Sequence, residues 1–316
     1  MPPGHPDSSD AKNKFEDLSG VDITAYANPY DALIEACQND PAQIQSRYST
    51  HRTTRNEQQK LKLLSDSFSG LILDPILKRL EDPSIEPGYV DPRHCLVFWG
   101  RPPQHIKSLV DIIQKKLLEQ APNLWLMPIP NMHITALEIT HSLTATQISS
   151  IVGNLGSDTI AKMTDYTFDH RARLIKPMIS YDAAAIALSF LPAAGEGLPS
   201  KERSKEEDNF TYHHLRQSLY NVASEAGAKI ESRYVVPSSH VTIGRFLTQK
   251  DHDKPEKMKS WIELIEQINT WLVDEYWPSD DKQGIEWIVG QEKGLDCRHG
   301  ALWYGGGTTI RLGKGF

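Results

Sequence analysis

Strand-like and helix-like segments alternate along the chain from residue 94 to the C-terminus. Short apolar and β-branched runs, such as 94–99 and 132–139, are typical of strands, whereas the three- and four-residue apolar spacing at 106–118 indicates a helix. Further strands are predicted within 168–191, near 233–236, at 241–247, at 285–289 and within 301–312, and further helices at 144–152, 212–226 and 256–273. This alternation, which returns in two similar halves, predicts an α+β or α/β domain.

The first 90 residues differ from this region. Residues 1–14 are rich in Pro, Ser, Asp and Lys without a hydrophobic period, which predicts a disordered tail. At 29–80 the apolar residues recur three and four apart, with breaks at Pro41 and Pro75, and a Pro- and acid-rich connector follows at 81–88. We therefore predict a helical N-terminal extension at 15–90 and a separate domain at 91–316.

Charge and cysteine content exclude several classes of function. The chain has 41 acidic and 34 basic residues, a net charge of −7, so no global positive field attracts duplex DNA, although a local pocket for a small anion remains compatible. The three cysteines form no Cys-x-x-Cys pattern, so neither a disulfide framework nor a zinc ribbon is predicted. No apolar run has the length of a membrane span, and no signal peptide is recognised. We expect an intracellular monomer, cytoplasmic or nuclear, without a membrane partner.

Two short sequences echo each other and carry the candidate chemistry. His133-Ile134-Thr135 and His240-Val241-Thr242 both lie in strand-like runs, 107 residues apart (240 − 133). Because side chains alternate along a strand, each copy presents an imidazole and a hydroxyl on one face. Two imidazoles can act as general acid and general base, and hydroxyls can hold phosphate oxygens. The alternative is a pair of unrelated strand histidines.

The repeated His-x-Thr resembles the signature of the 2H phosphoesterase superfamily, which includes the RNA ligase-like cyclic nucleotide phosphodiesterases. A leading strand that ends in Gly-x-Pro, a proline just before the first motif and an arginine after the second extend the resemblance over residues 94–316. It implies an α+β, bilobal fold: two half-domains related by a pseudo-twofold axis, with antiparallel sheets around a central cleft. It also implies that His133 and His240 form the acid–base pair and that Thr135 and Thr242 hold the phosphate, without a metal or cofactor.

Four further residues are weaker candidates for substrate contacts. In family members an arginine lies at the spacing of Arg245, but strict alternation puts it on the opposite face from His240 unless Gly244 allows a bulge or a strand end; the alternative is a surface arginine. Trp99, Tyr234 and Tyr304 are candidates to stack on a base, with ordinary packing as the alternative.

Two other segments are predicted to have structural roles only. The charged stretch at 195–209 reads as a solvated loop, and the glycine-rich run at 305–307 as a turn between terminal strands. His213 and His214 are adjacent on a predicted helix, where their side chains point about a quarter turn apart, so an exposed helix start is expected rather than a shared metal.

These observations predict a metal-independent phosphodiesterase that acts on a small nucleotide or an RNA end, at a 2′,3′-cyclic phosphate or a 2′,5′-type linkage. The two alternatives are a non-catalytic module that binds a nucleotide or RNA end, and an interaction protein that acts through residues 15–90. The assignment of acid and base to the two histidines stays open at this stage.

Overall fold

The structure is a computed structural model that describes residues 16–316, so the predicted disordered tail lies outside the described residues. The helices are α1 (Asp31–Ala36), α2 (Pro41–Leu63), α3 (Pro75–Glu81), α4 (Gln104–Gln120), α5 (Ala145–Asp169), α6 (Lys205–Asn209), α7 (Tyr212–Glu225) and α8 (Pro255–Tyr276). The strands are β1 (His94–Gly100), β2 (Leu124–Leu126), β3 (Ile134–Leu143), β4 (Arg173–Tyr181), β5 (Ala185–Pro192), β6 (Ser239–Phe246), β7 (Trp287–Ile288), β8 (Leu295–Ala301) and β9 (Thr308–Leu312).

The strands form two antiparallel sheets, so the protein belongs to the α+β class. The first sheet has the strand order β3-β1-β8-β9, and the second has the order β2-β6-β5-β4-β7. Every pair of neighbouring strands in both sheets is antiparallel. Each His-x-Thr motif therefore belongs to a different sheet, the first at the start of β3 and the second on β6.

Capping side chains explain where several helices begin. The Asp40 side chain accepts hydrogen bonds from the backbone N–H groups of Ala42 and Gln43, and Pro41 occupies the first turn of α2. Helix α5 begins with a capping box, in which Thr144 and Gln147 each bond the other's backbone N–H. These polar residues define the helix starts because they satisfy donors that the helix itself leaves unpaired.

The two faces of β1 belong to two different hydrophobic clusters. Leu96 and Phe98 belong to the main hydrophobic core, whereas Cys95, Val97 and Trp99 form a small separate cluster with Leu302. This division follows the two-residue alternation of a strand. The small cluster lies on the face that carries the first motif, since Trp99 pairs with Thr135 across β1 and β3.

The N-terminal extension packs into the same core as the rest of the chain. Tyr30, Leu33, Ile44 and Tyr48 are each no more than 3% exposed and belong to the main cluster. The extension is therefore not a loosely tethered appendage, although the domain boundary near residue 90 itself stays a prediction.

The strand predicted near 233–236 is wrong. The N–H of Arg233 donates to the carboxylate of Glu138 at 2.9 Å, and the N–H of Tyr234 donates to the Ser232 hydroxyl at 3.1 Å. These side chains take the donors that a neighbouring strand would need, so the segment stays irregular.

Other boundaries also differ from the sequence-based expectation. The helix predicted at 144–152 is followed, after a kink at Gly156 with φ 73° and ψ 159°, by a second helical part that ends at residue 169. The terminal strands occupy 295–301 and 308–312 on either side of the glycine turn. The solvated loop predicted at 195–209 is wrong in part: it contains α6, begun by a Ser204–Glu207 capping box, and Asp208 pairs with Arg173 at 3.1 Å.

The prediction that His213 lies at an exposed helix start is also wrong. Its side chain is 1% exposed. Its ring nitrogens hydrogen-bond the Tyr48 hydroxyl at 3.0 Å and the Tyr30 carbonyl at 2.9 Å. Both tyrosines come from the extension, whose packing on α7 a local sequence pattern does not reveal.

Candidate active site

A β-bulge in β6 brings three polar side chains onto one face. Ile186 pairs with Gly244 while Ala187 pairs with Thr242, so β6 carries one extra residue at this point. The bulge shifts the alternation, and His240, Thr242 and Arg245 all line one cavity of about 120 Å³, the site cavity. Strict alternation would place Arg245 and His240 on opposite faces of β6. The bulge seen in the pairing of β5 with β6 is the irregularity that lets both side chains share a face.

Strand β2 approaches Gly244 closely at this bulge. A Cβ atom at residue 244 would lie 3.1 Å from Leu124 Cδ2 and 3.2 Å from the Trp125 carbonyl oxygen. A side chain at this position would require Leu124 and the backbone of β2 to shift by a few tenths of an ångström, so glycine suits the close approach of the two strands.

Two contacts fix the orientation of His133. Its Nδ1 lies 2.8 Å from the Asn131 carbonyl oxygen, which can only accept, so Nδ1 carries the proton that is donated. The indole of Trp99 stacks on the imidazole with 3.6 Å between ring centroids and 14° between planes. In its neutral form His133 therefore has its lone pair on Nε2.

The surroundings of His133 favour this neutral form. The pKa of His133 is lowered to about 3, chiefly by burial and also by the positive charges of Arg101, His240 and Arg298, against the opposing hydrogen bond to Asn131. The effect of His240 on this pKa means that the two imidazoles lie within electrostatic range of each other, although they come from different sheets.

His240 has a different environment. Its Nδ1 lies 2.8 Å from the Ser238 hydroxyl. Burial lowers the pKa of His240 to about 4, with contributions from Arg55 and Arg216, whereas the carboxylate of Asp182 raises it. Asp182 is thus an acidic group that favours the protonated form of His240.

The two motifs meet at a second, smaller cavity. This second cavity, of about 10 Å³, is lined by Thr135 from the first motif and by His240 from the second, together with Tyr234. His240 and Tyr234 also line the site cavity. The structure thus brings Thr135, His240, Thr242, Arg245 and Tyr234 to two neighbouring cavities, whereas His133 is absent from the described lining of both.

Asp74 and Tyr304, which are absent from the described lining of the site cavity, contact Arg245. Its Nη1 lies 3.7 Å from Asp74 Oδ2, and its guanidinium carbon lies 5.7 Å from the centre of the Tyr304 ring. The Tyr304 hydroxyl donates to Asp74 Oδ1 at 2.8 Å. Arg245 Nε is buried and has no hydrogen-bond partner among residues 16–316.

The three aromatic candidates have different positions. Trp99 is 1% exposed and is covered by His133, so its prediction as a base-stacking residue is wrong and the packing alternative holds in this structure. Tyr304 is absent from the described lining of the site cavity, where the neighbouring Trp303 occurs instead. Tyr234 is partly exposed, and its ring centroid lies 6.1 Å from that of His240.

Sequence reasoning missed one side of the site. Tyr48, His51, Arg52 and Arg55, all from α2, line the site cavity; we call these four residues the extension wall. Their three- and four-residue spacing places them on one helical face, which was the available signal. The arginines near His133 were also missed, because Arg101 directly follows β1 and Arg298 lies on β8, which are about 200 residues apart in the sequence.

The described chain has neither a cluster of metal-ligating side chains nor a membrane-spanning helix. Over residues 16–316, no group of three or more His, Cys, Asp or Glu side chains is arranged to hold a metal ion. None of the helices in this range is both long enough and apolar enough to cross a membrane.

The chain has distant structural likenesses. No protein-family model matches it, and no curated protein matches it. TT0787 of Thermus thermophilus is 12% identical, over 69% of this chain and 96% of that chain, with a TM-score of 0.37. ATU0111 of Agrobacterium tumefaciens, a conserved protein of unknown function, is 10% identical over 67% and 83%, with a TM-score of 0.41. Usb1 of Kluyveromyces marxianus is 10% identical over 70% and 99%, with a TM-score of 0.34. Scores at this level support no assignment of family or activity.

Proposed function

We propose that this protein is a phosphodiesterase of the 2H phosphoesterase type, which uses His133 and His240 as an acid–base pair on a nucleotide or RNA-end phosphodiester. One observation carries the proposal: the second cavity is lined by Thr135 of one motif and His240 of the other. In this proposal the two antiparallel sheets are the two lobes of a bilobal fold, and the cleft between them holds the reacting phosphate.

The environments of the two histidines suggest their roles. His133 has its Nδ1–H held by the Asn131 carbonyl at 2.8 Å, and the charges of Arg101 and Arg298 oppose its protonation. It is therefore the general base, acting through Nε2. His240 is the general acid, because the carboxylate of Asp182 favours its protonated form.

Hydrolysis of a 2′,3′-cyclic phosphate then needs one proton transfer at each histidine. Nε2 of His133 takes a proton from water as the water oxygen forms a bond to phosphorus. The bond between phosphorus and one ribose oxygen breaks, and His240 gives its proton to that oxygen. The product is a phosphomonoester, and proton exchange with solvent restores both histidines. A 2′,5′ linkage would be cleaved by the same transfers with a nucleoside hydroxyl as the leaving group.

The remaining side chains of the site hold the substrate in this proposal. The Thr135 and Thr242 hydroxyls donate to non-bridging phosphate oxygens, and the unpartnered Nε of Arg245 is a further donor. Tyr234, which lines both cavities beside His240, is the candidate to stack on the base.

Turnover of a panel of nucleotide phosphodiesters in the presence of EDTA tests the proposal. We expect His133→Ala and His240→Ala each to lower kcat by at least about a hundredfold. The double variant should be little worse than either single variant, because the two groups act as a unit. His170→Ala, at an exposed histidine outside both cavities, is the matched control. Full turnover in either single variant, or activity that returns only on addition of a divalent ion, would contradict the proposal.

One observation favours a second candidate function, a binding module without turnover. The pKa values of His133 and His240 are lowered to about 3 and about 4, so both imidazoles are neutral in the empty site at pH 7. Such a site would bind a nucleotide without a proton donor. Stoichiometric binding of a 2′,3′-cyclic nucleotide that is recovered intact after long incubation would establish this alternative.

A further inference from the structure

Helix α2 packs across the second sheet through polar contacts. Arg52 Nη1 donates to the Lys176 carbonyl at 2.7 Å and lies 3.4 Å from the Ser189 carbonyl. Arg55 Nη2 pairs with Asp182 Oδ2 at 2.7 Å, and the Asn56 amide donates to a β4 carbonyl at 2.9 Å. These contacts hold the helix against strands whose neighbour, β6, carries the second motif.

Arg52 is the exceptional member of the extension wall. The residue is 4% exposed, and neither its Nε nor its Nη2 has a hydrogen-bond partner among residues 16–316. No carboxylate within the same range forms an ion pair with it. A buried guanidinium that keeps unpaired donors costs free energy unless an anion completes it.

Arg52 is also close to the second motif. It contacts the carbonyl of Ser189, and Ser189 pairs directly with His240 across β5 and β6. Neighbouring strands lie about 4.8 Å apart. The guanidinium of Arg52 is therefore placed one strand away from the proposed general acid, on the wall of the same cavity.

The charges that line the site cavity favour an anion. Three arginines, Arg52, Arg55 and Arg245, face two carboxylates, Glu16 and Asp182, across the described part of the lining. Arg245 is assigned above to the reacting phosphate, which leaves the α2 arginines for a different group.

We propose that Arg52, with Arg55 beside it, forms a second anion site that binds a phosphate group other than the reacting one. This inference rests on the proposed phosphodiesterase function and narrows its substrate class. The preferred substrate is a nucleotide or RNA end that carries an additional phosphate besides the reacting diester, and the N-terminal extension completes the site by supplying this contact.

Matched substrates test this inference. The measurement is the ratio of kcat/KM for a nucleoside 2′,3′-cyclic phosphate with a 5′-phosphate to that for the same compound without it. Hydrogen bonds to charged groups predict a ratio of about tenfold to hundredfold in the unmodified protein. A dinucleotide with a terminal cyclic phosphate distinguishes an internucleotide phosphate from a terminal one as the group that is bound.

Variants on α2 assign the ratio to residues. Arg52→Gln should reduce the ratio to about one, and Arg52→Lys, which keeps the charge, should restore part of it. Arg47→Gln, on the same helix but outside the described lining of the cavity, is the matched control and should keep the ratio. Circular dichroism checks that each variant is folded. If Arg52→Gln does not fold, Arg55→Gln replaces it and should likewise lower the ratio of the two kcat/KM values.

The outcomes separate this inference from the proposed function. If the unmodified protein turns over both substrates with a kcat/KM ratio near one, the second anion site is overturned. The turnover itself would still support the proposed phosphodiesterase function. An unchanged ratio in folded Arg52→Gln likewise overturns it. If no substrate is turned over, the proposed function fails, and the second anion site is then tested by calorimetry with adenosine 3′,5′-bisphosphate and adenosine 3′-monophosphate. Tighter binding of the bisphosphate, lost in Arg52→Gln, would support the second anion site. Equal binding of the two nucleotides would overturn it.

Discussion

Replacement of Trp99 by leucine should lower kcat and leave KM nearly unchanged. The indole is buried and stacks on His133 with 3.6 Å between ring centroids, so it orients the proposed base without reaching the substrate. A residue that stacks on the base of the substrate would instead change KM. The split between kcat and KM therefore distinguishes a positioning role from base stacking.

The size of the effect follows from the two contacts that hold the imidazole. An aromatic pair contributes about 0.5–1.5 kcal/mol beyond its buried area, which corresponds to about twofold to twelvefold in kcat. The hydrogen bond of His133 to the Asn131 carbonyl, at 2.8 Å, remains in the variant. The loss should therefore stay well below the hundredfold expected for His133→Ala.

Steady-state kinetics on a 2′,3′-cyclic nucleotide, with thermal unfolding of each variant, measures this prediction. Trp99→Phe keeps a ring at the stack and should retain more of kcat than Trp99→Leu. Trp261→Phe, at a buried tryptophan outside both cavities, is the control for general loss of packing. An unchanged kcat in Trp99→Leu, or a rise in KM with kcat unchanged, would refute the positioning role.

Three further predictions concern pH and stability. Because burial lowers the pKa values of His133 and His240 to about 3 and about 4, the fraction of free enzyme with a protonated histidine falls as pH rises. The pH profile of kcat/KM should therefore peak below pH 7, and that of kcat should lie at higher pH because the bound anion favours protonation. A kcat/KM that increases from pH 7 to 8 would contradict this prediction. Asp74→Ala should lower the free energy of unfolding, measured by urea titration, by about 3 kcal/mol, because it removes a helix cap worth about 1 kcal/mol and a charged hydrogen bond worth about 2 kcal/mol. Asp74→Asn should lose about half as much, because asparagine still caps α3. Equal losses in the two variants would contradict the capping role. Burial lowers the pKa of His213 to about 3, so below about pH 6.5 the unfolded chain binds more protons than the folded one. This histidine should therefore lower the free energy of unfolding by up to about 1.4 kcal/mol per pH unit on acidification towards pH 3. His213→Gln should flatten the dependence of the free energy of unfolding on pH between pH 6 and 5.

The core of the candidate site could be predicted from sequence because strands alternate with a period of two. His133 and Thr135, like His240 and Thr242, are second neighbours, so each pair shares a face wherever it lies in a sheet. Arg245 needed one more piece of information, the extra residue in β6. Glycine at 244 indicated that a bulge was permitted, and the register of β5 with β6 contains it.

Predictions failed where contacts from distant segments outweighed the local pattern. The segment at 233–236 has apolar and aromatic residues typical of a strand, yet the carboxylate of Glu138, about a hundred residues earlier, takes the N–H of Arg233. Likewise His213 is buried because two tyrosines of the extension bond to its ring. No local window contains either partner.

The extension wall was missed for a related physical reason. A helix that covers an apolar sheet face presents apolar residues three and four apart. At the corresponding positions α2 has Tyr48, His51 and Arg52, all buried, because the part of the sheet that it covers carries Ser189 and lines a cavity. Polar residues on a buried helical face therefore indicate a site rather than a surface.

This arrangement also decides how the role of the extension has to be tested. Tyr30 is buried in the main core, and its hydroxyl donates to the carbonyl of Tyr234 at 3.0 Å. A chain that began at residue 91 would lose this contact together with the helix caps and core residues of α1 to α3, so loss of activity on truncation would report unfolding. An interaction role of the extension and a role in the cavity are separated instead by substitutions on α2: exposed Thr53→Ala addresses a partner, and Arg52→Gln addresses the cavity. If only the exposed substitution altered function, the enzyme hypothesis for this part of the chain would fail.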